Sequence, residues 1–362
     1  MTRVKIYGAG SIGNHLAHGC REHDWAVTMC DTDPAALERT RTSIYPERYG
    51  AWDDAIRLCA PSEAARDAAD VVIIGTPPDT HVPLALQVLD DAPPRLLLIE
   101  KPLCAPDLDG CARLVTRAAE TGTRVLVGYN HRVTEHTRIA AEWAREASTG
   151  APTTLRARFR EHWGGIFGAH PWLSGPADTY LGYTSRGGGA LGEHSHAINL
   201  WQYFAGLAGL GRIIEVDAML DEVDLGDGVV YDRVAQLSVR TESGIIGTIV
   251  QDVVTQPAEK WLRLEGERGN LTWQANAEPG VDLARLVVHG EQPVEHRVQK
   301  TRPDDFRGEI VHLAALLEDP AQPSPLSLTH GLETMAVIVA ALESARGGRR
   351  VPVNYEPAAR AG

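Results

Sequence analysis

An apolar run, Val4-Lys5-Ile6-Tyr7, leads directly into Gly8-Ala9-Gly10-Ser11-Ile12-Gly13, and the next apolar run, Ala26-Val27-Thr28-Met29-Cys30, ends on Asp31. A strand, a G-x-G-x-x-G turn and a helix start, in that order, constrain the chain to a β-α-β unit of the dinucleotide-binding kind. Gly8 admits the tight turn, Gly10 lets a pyrophosphate approach the backbone, and Gly13 lets the helix lie close to the strand. Ser11 and Ile12 open the helix, where unpaired N–H groups favour an anion. At the end of the second strand, the Asp31 carboxylate can accept hydrogen bonds from both hydroxyls of an adenosine ribose and would repel a 2′-phosphate. The expected cofactor is NAD rather than NADP.

The same alternation continues downstream. Asp33-Pro34 marks a capped helix start with proline in the first helical position. Strands are predicted at 56–59, 71–74, 96–99 and 124–127, with helical segments near 62–68 and 79–90. Beyond a helix at about 134–147 the pattern changes to period-two runs at 153–161, 213–220, 229–240, 244–253, 261–265, 270–274 and 283–289. Ser243-Gly244 is a turn signal between two of these runs. Helical segments near 189–205, 304–318 and 330–346 complete this part. The expected fold is α/β, an N-terminal Rossmann doubly wound parallel sheet over 1–130 followed by an α+β domain over 131–362 with a large, open, mostly antiparallel sheet.

With 362 residues the chain can build two cores. A formal net charge of -13 argues against nucleic-acid and anionic-membrane partners, which reward clustered Lys and Arg. No apolar run is long enough to cross a bilayer, and Met1-Thr2-Arg3 leads straight into the first strand, so a cytoplasmic protein is expected. The cysteines, Cys20, Cys30, Cys59, Cys104 and Cys111, are odd in number and lack a C-x-x-C, which fits reduced thiols.

Ligands in such sheets bind at the carboxyl ends of the strands, here Gly75-Thr76-Pro77-Pro78, Glu100-Lys101-Pro102 and Gly128-Tyr129-Asn130-His131-Arg132. Thr76, Pro77, His81, Glu100, Lys101 and Asn130 are expected beside the cofactor. The amine of Lys101 can take a substrate's hydroxyl proton as hydride leaves the same carbon. On a helix, Glu193 and His196 would share a face and point together into the site, with His194 the alternative relay residue. Those histidines, with His162 and His170, also permit a metal reading, but histidines two apart project differently on a helix and hydride transfer needs no metal; none is expected. Aromatic and polar residues gather just upstream, and Trp163, Tyr183, Arg186, His194 and His196 are expected to contact a polyhydroxylated small molecule. Arg156, Arg158 and Arg160 alternate on one strand, as a solvated face or subunit contact would, with phosphate or carboxylate recognition the alternative.

The first fingerprint, Gly75-Thr76-Pro77-Pro78-Asp79-Thr80-His81, Glu100-Lys101-Pro102, Gly187-Gly188-Gly189-Ala190-Leu191 and Arg263-Leu264-Glu265-Gly266 with Gly269 follow one another as a set. This set resembles the glucose-fructose oxidoreductase, inositol dehydrogenase and MocA family. The resemblance implies a pocket between the two domains, a catalytic role for Lys101, no metal, and open-sheet contacts that build a homo-oligomer, a dimer or tetramer. Many members follow the glycine run with an aspartate and, four residues later, a histidine. Here Glu193 and His196 are three apart, and Asn199 stands where the Ser-His-x-x-Asp variant has aspartate. The implied activity is NAD-dependent oxidation of a secondary hydroxyl of a sugar, cyclitol or sugar-derived substrate, or reduction of the ketone, with Lys101 and His196 relaying the proton. The alternatives are an NAD-dependent glycosidase acting by transient oxidation and elimination, and a non-catalytic dinucleotide-responsive binding protein.

Overall fold

A computed structural model describes residues 1–168, 170 and 172–356. Its first sheet holds β1 (Arg3–Tyr7), β2 (Ala26–Cys30), β3 (Arg57–Cys59), β4 (Val71–Ile74), β5 (Leu96–Ile99) and β6 (Arg124–Val127) in the order β3-β2-β1-β4-β5-β6. All five pairings are parallel. β4 and β5 are buried at every position, as uninterrupted apolar runs must be in a sheet covered on both faces. The strand order reverses between β1 and β4, and the crevice at such a switch point is where ligands bind.

Asp33 caps the next helix through its carboxylate, which accepts from the Ala35 N–H at 2.9 Å. That helix, Pro34–Arg39, runs on through a wide π turn at Thr40–Ile44 into Tyr45–Tyr49. The π turn carries the Thr40 hydroxyl to the glycine loop, where it donates to the Ala9 carbonyl at 2.8 Å. One turn further on, Arg48 donates to the Ser11 carbonyl and hydroxyl at 2.9 and 2.8 Å.

The second sheet has nine strands: β7 (Pro152–Arg160), β8 (Ile213–Asp224), β9 (Val230–Thr241), β10 (Ile246–Asp252), β11 (Glu259–Gly266), β12 (Gly269–Glu278), β13 (Val281–Val288), β14 (Val294–Gln299) and β15 (Val351–Pro352). Their order is β14-β13-β12-β11-β7-β10-β9-β8-β15, antiparallel except between β7 and β10. Leu155, Ala157 and Phe159 of β7 point into the core, while Arg156 and Arg158 face solvent. The predicted β9–β10 turn closes through Gly244, whose N–H donates to the Thr241 carbonyl at 2.9 Å. β14 and β15 escape sequence prediction because β14 is exposed along almost its whole length and β15 has two residues.

The helix expected at 189–205 is two helices, Gly189–Glu193 and His196–Leu207, separated at His194 and Ser195. Glu193 and His196 therefore do not share a face of one continuous helix; the break sets their directions. The last two long helices tie the sheets together. Asp304–Glu318 packs on Ser11–Glu22, with His15 stacked on Phe306 at 4.7 Å. Leu328–Gly347 lies against both β6 and β8, beside a hydrogen bond from the Val127 N–H to the Leu326 carbonyl at 2.7 Å. All five cysteines are buried free thiols. Among the described residues no helix is long and apolar enough to cross a membrane.

Candidate active site

The three glycines of the fingerprint have different work. Gly8 sits at φ +107°, and a Cβ there would stand 2.6 Å from the Gly75 carbonyl oxygen, which a side chain cannot do. A Cβ at Gly13 would stand 2.0 Å from the Gly8 carbonyl oxygen, so Gly13 serves the packing of helix on loop and does not line the ligand space. Around Gly10, by contrast, nothing approaches within 4 Å. That open space faces the start of helix Ser11–Glu22, whose first turn has no side-chain cap, so its N–H groups are available to an anion. Asp31 is oriented by the same loop: its Oδ2 accepts from the Ala9 N–H at 2.8 Å and its Oδ1 from the Asp33 N–H at 2.9 Å. The open cradle, the uncapped helix and the fixed carboxylate fit a dinucleotide with its pyrophosphate over Gly10 to Ile12 and its ribose at Asp31.

From this cradle a cleft of about 1010 Å³ runs between the sheets. The loops after the strands of the first sheet contribute Gly10, Asp31, Thr76, Pro77, Glu100, Lys101 and Asn130, and the chain beyond residue 150 contributes Trp163, Arg186, Glu193, His194 and His196. Besides Gly8 and Gly13, two expected contacts lie outside it. His81 is fully buried, with Nδ1 3.0 Å from the Pro102 carbonyl oxygen and Nε2 2.7 Å from that of Thr76, so it pins two loops together. Tyr183 turns away, its hydroxyl donating to the Ala177 carbonyl at 3.1 Å and its ring beneath the Arg186 guanidinium. Arg186 reaches the cleft wall, but its guanidinium is bound to Asp79 at 2.8 Å. The Arg156, Arg158 and Arg160 row lies outside the cleft and pairs with Glu265, Glu259 and Asp252.

Lys101 follows the end of β5 and lines the cleft. Its Nζ donates to the Glu193 carbonyl at 2.8 Å and to Glu193 Oε2 at 3.0 Å, with both side chains largely buried. Glu193 is aimed by the glycine run before it. Gly189 has φ +76°, and a Cβ there would lie 2.0 Å from Asp232 Oδ1; Asp232 in turn accepts the Leu191 N–H at 2.8 Å. Burial favours the protonated Glu193 carboxyl, but the charge and hydrogen bond of Lys101, with Lys260 further off, outweigh it and hold the group below its usual range.

His196 is half-buried, with Nδ1 lacking a partner and its ring edge-on to Tyr129 at 5.5 Å and His131 at 4.6 Å. The lysine's direct partner is therefore Glu193. Burial, reinforced by Lys101 and Lys260, pushes His196 well below the ordinary histidine value, and burial and Lys260 bring His194 down to about 4. Both imidazoles are neutral at physiological pH, each with one donor and one acceptor nitrogen. Asn199 is held away from the cleft by Thr334, 2.9 Å from its Nδ2. Among the described residues no group of three or more His, Cys, Asp or Glu is arranged to hold a metal ion.

Sequence reasoning passed over Lys260 and Arg48 among the cleft residues, and placed His131 and Tyr180 near the site without giving them a role. His131 lies beside His196, Lys260 pairs with Glu161, Arg48 stands at the glycine loop, and Tyr180 is kept protonated by burial and by the charges of Glu193 and Glu100. Lys260 was within reach, because it adjoins a period-two run and so occupies a definite face of a strand. Nothing in the spacing points to Arg48.

The cradle and the lysine-bearing cleft define an oxidoreductase built on an NAD-binding Rossmann fold. Residues 2–129 match the family model described as oxidoreductase family, NAD-binding Rossmann fold, and residues 180–353 match the C-terminal alpha/beta domain of the same family. The chain belongs to the Gfo/Idh/MocA oxidoreductase family, and its cofactor is NAD. It is 30% identical over 160 residues to an inositol 2-dehydrogenase of Rubrobacter xylanophilus, covering 43% of each chain. It is also 30% identical over 127 residues to a glycosyl hydrolase family 109 protein of Shewanella pealeana, covering 33% of this chain and 26% of that one. The chain thus matches less than half the length of either relative. A levoglucosan dehydrogenase in complex with NADH and levoglucosan has the same fold, with a TM-score of 0.78 at 16% identity over 98% of this chain and 99% of that one.

Proposed function

We propose that the protein oxidises a secondary hydroxyl of a sugar, cyclitol or sugar-derived substrate, or reduces the corresponding ketone. The observation that carries this reading is the two-point anchoring of Lys101 on Glu193 inside the cleft that also contains Gly10 and Asp31. Bound NAD supplies the hydride acceptor. Lys101, as the neutral amine, takes the hydroxyl proton, and the Glu193 carboxylate stabilises the ammonium that results. His196, neutral and lining the cleft, binds the neighbouring hydroxyl and completes the proton relay with Lys101. Trp163 and the Tyr180 hydroxyl add an apolar face and a donor to the wall, a combination suited to a hydroxylated ring.

The division of labour falls near residue 130, with cofactor held before it and substrate after it. The solvent face of the nine-stranded sheet, with Arg158 over Trp261, is the surface for a dimer or tetramer. The likeness to a glycosyl hydrolase family 109 protein supports a second reading, in which oxidation at one carbon is transient and permits elimination at its neighbour. One assay separates the two. Sugars, cyclitols and nucleotide sugars are screened for NADH accumulation, and aryl glycosides for aglycone release. Net NADH supports the dehydrogenase; aglycone without net NADH supports the glycosidase; neither, across a broad panel, points to a non-catalytic dinucleotide-binding protein.

A further inference from the structure

Behind Lys101 lies a feature that hydride and proton transfer do not use. Glu309, on helix Asp304–Glu318, is fully buried, and neither of its carboxyl oxygens has a hydrogen-bond partner. Glu100, the residue before Lys101, is also buried, and its Oε1 has no partner. Both side chains aim at Gly128, at the end of β6. A Cβ there would lie 2.8 Å from Glu100 Oε1 and 3.2 Å from Glu309 Oε1, so glycine is what leaves the two carboxyls room.

Two buried carboxylates so close do not both ionise. The surroundings decide which keeps the proton. Around Glu309, burial and the charges of Glu100 and Asp305 all push its pKa up. Asp305 is itself bound to Lys300 at 2.8 Å. The 130–133 turn packed on this helix brings His131, kept neutral by burial, and Arg132, whose guanidinium is taken up by the Pro325 and Asn199 carbonyls. Helix Ser11–Glu22 brings His15, neutral as well. Around Glu100, burial pushes upward while the Lys101 ammonium favours the anion, and the balance leaves the carboxyl at about 7, below the strongly raised Glu309.

We propose that Glu309 is a neutral acid that shares its proton with Glu100, directly or through one water, so that this pair carries one negative charge behind Lys101, in addition to the Glu193 carboxylate on its other side. Glu309 is then a positioning residue, acting on the lysine through Glu100. The proposal rests on the reading of Lys101 as the base, and its test has one arm that does not.

The first arm is infrared spectroscopy of the NAD-loaded protein at pH 8.5. The wild type shows the C=O stretch of a protonated carboxyl, and Glu309→Gln removes it; the band persisting in full in that variant overturns the proposal whatever the substrate is. The second arm is the pH profile of NADH formation. Glu309→Leu leaves Glu100 to take up the proton itself, and the acid limb moves about one pH unit lower. Glu309→Gln retains a neutral donor and restores the wild-type limb. A limb unmoved in the leucine variant, or moved equally in both, overturns it. Should the leucine variant fail to fold, the infrared arm decides alone.

Discussion

Replacing Asp232 by asparagine tests how the glycine run that aims Glu193 is held. Asp232 is fully buried on β9 and accepts the Leu191 N–H, and burial raises its carboxyl from 3.8 to about 7. In the unfolded chain the carboxyl ionises near its ordinary value, so the unfolded state releases the proton first as pH rises. The stability tied to the neutral group is fully present below about pH 4, falls through the interval to about 7, and is lost above it. The size of the displacement corresponds to about 4 kcal/mol. Asparagine keeps an acceptor for the Leu191 N–H and cannot ionise. Urea unfolding of the two proteins from pH 4 to 9 should give nearly equal free energies at the acid end and a difference that grows toward about 4 kcal/mol in favour of Asp232→Asn above pH 7. A difference independent of pH, or a variant less stable than wild type at pH 8, would refute the argument that burial keeps this carboxyl neutral.

Three further outcomes are expected. Asp31→Ala removes the acceptor and the repulsion at the ribose, so the ratio of kcat/KM for NAD over NADP falls, measured side by side. Gly13→Ala drives a methyl group into the Gly8 carbonyl; it should lower the melting temperature and weaken NAD binding together, whereas binding lost at an unchanged melting temperature would contradict the packing role. Tyr183→Phe removes a hydroxyl bound to the Ala177 carbonyl outside the cleft, so the substrate KM should stay within about twofold of wild type, because a lost substrate contact would cost more.

The first sheet is legible in the sequence because a parallel strand buried on both faces reads as an uninterrupted apolar run. The ends of β2, β4, β5 and β6 fall where those runs end. β14 is illegible for the converse reason: it is an edge strand held by its ladder to β13, and its exposed side chains carry no alternation. The break at His194 and Ser195 hides in a helix-forming stretch, since what directs the preceding turn is Asp232, distant in sequence and supplied by β9. Lys101 and Glu193 are visible as motifs, yet their pairing is tertiary, as is the meeting of Glu100 with Glu309. His81 and Tyr183 show how local hydrogen bonds, illegible in the sequence, turn motif residues toward backbone carbonyls outside the cleft lining.

The most direct test of the account is Lys101→Ala, examined by NAD titration and by turnover on a substrate found in the screen. The account predicts an NAD dissociation constant within roughly a few-fold of wild type and turnover lowered by about a hundredfold to ten-thousandfold, the range for loss of a positioned base. Turnover within about twofold of wild type, with NAD binding intact, would contradict the assignment of Lys101 as the base.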